Sequence, residues 1–116
     1  YPEEKEKLLQ EISDNRIKGV LFLTGDRHFA EMSMLPRENS YPIYDWTVSP
    51  FTAGVVSDSV LKENNKYKVE GSTFLQNNFG IIAFSGNKEN RQIKLSLFDK
   101  NGKELWKKVI LKKELE

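Results

Sequence analysis

Asp26 and His28 are the residues of this 116-residue chain whose types and spacing could do chemistry together, and His28 is its only histidine. They stand two apart, directly after Val20-Leu21-Phe22-Leu23-Thr24-Gly25. If the backbone stays extended past Gly25, side chains two apart point to the same side. A hard carboxylate oxygen and an imidazole aimed at one point could share a metal ion. Spacing alone leaves two other readings open. An acid after glycine often bonds nearby backbone in a turn, and a lone histidine can be a packed side chain. Two donors also do not close a site, because a catalytic metal usually takes at least three protein ligands. With no second histidine and no cysteine, the partner ligands would come from elsewhere, including sequence outside this chain.

The elements that must position this pair follow from the pattern. Pro2 with Glu3, Glu4 and Glu6 predicts a helix start, since proline suits the first turn and acids there favour the helix dipole. Leu8, Leu9 and Ile12 fall on one helical face. The apolar run Val20 to Thr24 predicts a strand buried on both faces, in the middle of a sheet. In open α/β sheets, binding sites form beyond the carboxyl ends of such strands, and Gly25 to His28 follows that end.

Downstream the pattern is mostly strand. Phe29 to Leu35, stopped by Pro36, and the aromatic run Tyr41 to Val48 are expected to pair as a hairpin. Ser49-Pro50 and Gly54 break the chain. Val55 to Leu61 suggests a short helix, and Lys62 to Gly71 a mobile polar excursion. Phe79 to Phe84 predicts a further strand. Ile93, Leu95 and Leu97 alternate with polar residues, as in a half-buried strand. Asp99-Lys100-Asn101-Gly102 reads as a hairpin turn, with Glu104 to Leu111 returning. The charged tail, Lys112 to Glu116, is expected to fray.

Size and composition narrow the classes. A chain with 38% hydrophobic and 30% charged residues can bury a modest core, so it is not disordered by composition. A net charge of +1 gives no global attraction to nucleic acid. No apolar run approaches the roughly 18 residues of a membrane span. The absence of cysteine excludes disulfides and thiolate metal sites. One helix and one α/β unit followed by strands suits the C-terminal portion of a larger layered α/β protein.

Thr24-Gly25-Asp26-Arg27-His28-Phe29-Ala30-Glu31 resembles the last metal motif of the PhoD-like alkaline phosphatases, a branch of the calcineurin-like metallophosphoesterases. That motif reads roughly (S/T)-G-D-x-H-(F/Y), with Asp26 where the wider superfamily carries the first histidine of G-H-x-H. Tyr41 to Thr52 is similar to the family's aromatic strand and its following T-S-S-x-x-T loop, with Val48 at one of the small polar positions. Asn78-Phe79-Gly80 and the closing hairpin also have counterparts, so the resemblance spans most of the chain in order.

The resemblance implies an α/β fold, a layered α/β-β/α metallophosphoesterase sandwich, with residues 1–116 the C-terminal part of a single metallophosphatase domain. It implies a dinuclear centre of divalent or trivalent ions (iron, calcium, zinc or manganese) that hydrolyses phosphate esters through a metal-activated water. Asp26 and His28 would be metal ligands. Arg27 is a candidate to meet substrate phosphate, against a surface or salt-bridge role. The partners implied are a small-molecule phosphate ester and the N-terminal part of the same polypeptide, which carries the family's other metal motifs. The isolated segment is therefore expected to be inactive. Family members are often exported, which suggests a periplasmic, cell-surface or secreted location. The competing expectation is a non-catalytic β-rich binding or interaction module.

Overall fold

A computed structural model describes residues 2–25, 29–49 and 67–116. One helix, α1 (Pro2–Asp14), precedes six strands: β1 (Leu21–Thr24), β2 (Glu31–Arg37), β3 (Ser40–Thr47), β4 (Asn78–Ser85), β5 (Gln92–Asp99) and β6 (Glu104–Leu111). A 3-10 helix, Lys112–Leu115, follows. The strands form two three-stranded sheets, ordered β1-β3-β2 and β4-β5-β6. In the first, β1 is parallel to β3 and β2 antiparallel. The second is an antiparallel meander.

This architecture corrects the layered α/β sandwich expected from the sequence. The described chain is mostly β, and what covers the first sheet is a second sheet rather than a layer of helices. Among the described side chains of α1 only Ile12 is buried, and Leu8 is 48% exposed. Besides Leu9 and Ile12, polar clamps on its last turn and on the connection after it hold the helix. Tyr41 Oη donates to Ile17 O at 2.6 Å, and Arg37 Nη1 donates to Ser13 Oγ at 3.1 Å.

Strand alternation puts Met32, Tyr44 and Trp46 of the first sheet against Leu95, Leu97 and Ile110 of the second, all buried. Trp46 and Trp106 meet across the layers with centroids 6.2 Å apart. Lys108 lays its ammonium over the Tyr44 ring, 5.4 Å from the centroid. Burial, with the charge of Glu114 adding to it, holds the Tyr44 phenol above its ordinary pKa.

β1 is also corrected. It is an edge strand among the described residues, and Leu23 is 59% exposed. An apolar run reports side chains fit for burial on both faces. It does not report whether a neighbouring strand exists to complete that burial. The β2–β3 hairpin forms as expected, but β2 continues through Pro36 with a register shift between Leu35 and Arg37. Such an irregularity is where a residue without an N–H is tolerated in a ladder.

The polar excursion is anchored where it is described. Residues 67–74 run antiparallel along the outer edge of β2, with bridges Ser33–Lys68 and Ala30–Phe74. Between them the buried Ser72 hydroxyl accepts from Met32 N at 3.0 Å, replacing a missing ladder bond. The helix suggested over Val55 to Leu61 lies outside the described residues. The tail is ordered rather than frayed, because Leu115, 6% exposed, plugs the base of the core. The Asp99 carboxylate fixes the last hairpin by accepting from Asn101 N and Lys103 N, each at 2.9 Å. No helix among the described residues is long and apolar enough to cross a membrane.

Candidate functional site at the strand ends

The first sheet has a directional end. Because β1 and β3 are parallel, Thr24 lies beside Thr47, and both strands finish at the same edge. β2 runs the other way and therefore begins there, with Glu31 opposite Thr47. Alternation then collects Thr24, Asp45, Thr47 and Glu31 on one face, the face turned away from the second sheet.

Their hydrogen bonds order this face. Thr24 Oγ1 donates to Asp45 Oδ1 at 2.8 Å. The same oxygen lies 2.8 Å from Thr47 Oγ1. A hydroxyl has one proton to give. With the Thr24 proton directed at Asp45, the Thr47 hydroxyl must be the donor between the two threonines. A directed chain thus runs from buried Thr47, 4% exposed, through Thr24 to a carboxylate. On the other flank Thr73 Oγ1 donates to Glu31 Oε1 at 2.7 Å. Glu31 itself is 8% exposed. Two carboxylates and three hydroxyls therefore line the end of the sheet, all of them oxygen donors suited to a hard cation.

Gly25 leaves β1 at this end, next in sequence to the proposed ligands. Asp26, Arg27 and His28 lie outside the described residues, as does Thr52. The Thr47 hydroxyl bonds that of Thr24, and Ser49 presents its backbone carbonyl to Asn78. Among the described residues no three His, Cys, Asp or Glu side chains group closely enough to hold a metal ion. Asn78 is 1% exposed. Its Nδ2 donates to Ser49 O at 2.9 Å and Gln76 O at 2.8 Å. It fastens the second sheet to the exit of β3.

Sequence reasoning assigned no role to Asp45 or Glu31. Asp45 and Thr47 do stand two apart on a strand, which is a detectable signal. That Thr24 joins them depends on the parallel register of β1 with β3, which no local pattern carries.

Comparison with protein-family models, with curated proteins and with solved structures finds no match for this chain.

Proposed function

We propose that this chain is the C-terminal part of a metal-dependent phosphoric ester hydrolase of the PhoD-like type, in which Asp26 and His28 are metal ligands. The observation that carries this reading is the parallel β1–β3 pair. It ends in an oxygen-rich face at Gly25, immediately before Asp26-Arg27-His28. In open α/β sheets ligands collect beyond the carboxyl ends of parallel strands, and the β1–β3 pair shares that strand polarity. The donor chemistry fits a pair of metal ions, which when bound would activate water and offset charge on the phosphoryl oxygens.

The chain's own residues would act as follows. Asp26 supplies a carboxylate oxygen, and His28 binds as neutral imidazole with its other ring nitrogen donating to a neighbouring acceptor. Arg27 offers a guanidinium fork to phosphate oxygens. The Thr47–Thr24–Asp45 chain fixes the end of β1, and with it the point from which the ligand segment departs. The remaining ligands come from the rest of the parent polypeptide, whose strands would also cover Leu23 at the edge of β1. The substrate is a small phosphate ester.

The test uses the full-length parent, with metal content and turnover of p-nitrophenyl phosphate and bis-p-nitrophenyl phosphate measured together. Asp26→Ala and His28→Ala are each expected to lower bound metal and to cut turnover by about a hundredfold or more. The 116-residue chain alone is expected to be inactive. Unchanged metal content in both variants sinks the assignment and leaves a β-rich interaction module as the better description. Turnover by the isolated chain, lost in His28→Ala, overturns the view that it is incomplete.

A further inference from the structure

At the opposite ends of β1 and β4 from the candidate site, a groove of about 560 Å³ opens between three elements. These are the α1–β1 connection, the β4–β5 turn, and the junction of β6 with the 3-10 helix. Its volume falls within the roughly 300–1,000 Å³ of small-ligand pockets. The floor is apolar, made by Ile93, Ile110 and Leu115. Phe84 forms an exposed wall, with 72% of its surface open.

Lys18, Lys88, Arg91 and Lys112 line this groove from three parts of the chain, with Lys88 and Arg91 in one turn, against one acidic side chain, Glu116. Lys18, Lys88 and Arg91 have no side-chain hydrogen-bond partner among the described residues. The walls are tied together by backbone. Gly19 N donates to Leu115 O and Lys112 N to Arg91 O, both at 2.9 Å. The Lys112 ammonium donates to Lys88 O at 2.9 Å. The turn is locked from within. Asn87 Oδ1 accepts from Glu89 N and Asn90 N, and Asn90 Oδ1 accepts from Asn87 N. Gly86, at φ +86°, leaves no room for a Cβ, which would lie 2.6 Å from Asn90 O. The groove is therefore built before any ligand arrives, and its ordering cost falls on folding rather than binding.

We infer that this groove binds a free amphipathic anion, an alkyl chain ending in a phosphate, with the chain on the Ile93–Ile110–Leu115 floor and the head among the cations. The charge balance of the lining selects an anion. The apolar floor and the Phe84 wall reject a bare inorganic ion as the full ligand. Arg91 is the cation best shaped for the head, because its planar fork pairs two oxygens at once.

Decyl phosphate below its micellar concentration, titrated into the full chain by calorimetry and followed by amide NMR shifts, tests the inference. Saturable binding of one ligand per chain is expected, with shifts at Gly19, Phe84, Arg91 and Lys112. Arg91→Ala and Phe84→Ser, both at exposed side chains, should each weaken it about tenfold. Decanol and inorganic phosphate should each bind far more weakly than decyl phosphate. Equal affinity for either of these, insensitivity to both substitutions, shifts elsewhere, or binding only to anionic vesicles overturns it.

Discussion

Trp46→Ala is expected to cost about 3–5 kcal/mol of folding stability. Small domains hold about 5–15 kcal/mol in total, so this substitution removes a large share. Trp46 sits in the central strand of its sheet at 2% exposure. It touches both the β4 backbone and Trp106 across the layers. The indole also explains Gly80. A Cβ there would lie 2.7 Å from Trp46 Cη2. Glycine to alanine inside a strand ordinarily stabilises by about 0.5–1 kcal/mol. Here the overpacking reverses the sign, and Gly80→Ala should destabilise by about 1–3 kcal/mol. In a Trp46→Phe background, where the clashing ring edge is gone, the same change should cost far less. Urea unfolding followed by circular dichroism across the four chains measures the coupling. A neutral or stabilising Gly80→Ala in the parent sequence refutes the packing account.

Asn78→Asp should cost about 3 kcal/mol or more at neutral pH. Asn78 gives both amide protons to carbonyls, Ser49 O and Gln76 O, while its Oδ1 is buried without a donor. A carboxylate there would set acceptors against acceptors in a site closed to water. Protonation relieves part of this by restoring one donor. The folded-state pKa of the new carboxyl is therefore raised above its unfolded value near 3.9. A raised folded pKa contributes stability that is present below the unfolded value and lost as pH climbs through the folded one. The stability gap between variant and parent should accordingly narrow as pH falls from about 7 to about 4. Paired chemical denaturation at the two pH values checks this. A gap that stays constant or widens on acidification refutes it.

What could be read from the chain was local. Alternation at Ile93, Leu95 and Leu97, the aromatic run of β3, and Pro2 with its following acids each indicate their element, because period and capping are carried by neighbouring residues. The failures are all non-local. The four residues of β1 are as apolar as a central strand, yet their position depends on which strands lie beside them. Leu115 looked like the end of a charged tail, and only the closed core makes it a plug. Ser72 is an ordinary loop serine until β2 presents an unpaired N–H to it. At the candidate site, Asp26 and His28 stand out by type and spacing. The Thr24–Asp45 bond, between residues 21 apart, requires the register of two strands.

β4 carries a further consequence. Among the described residues no strand lies on its outer side. Its eight residues, Asn-Phe-Gly-Ile-Ile-Ala-Phe-Ser, contain no charge and no proline, and Ile81 is half exposed. Uncharged, β-prone edges of this kind are templates for another copy of themselves, and nature usually guards them with lysine, proline or a covering segment. Handled alone at high concentration, this chain is expected to associate through the β4 segment, and Ile81→Lys is expected to suppress that association in a light-scattering time course.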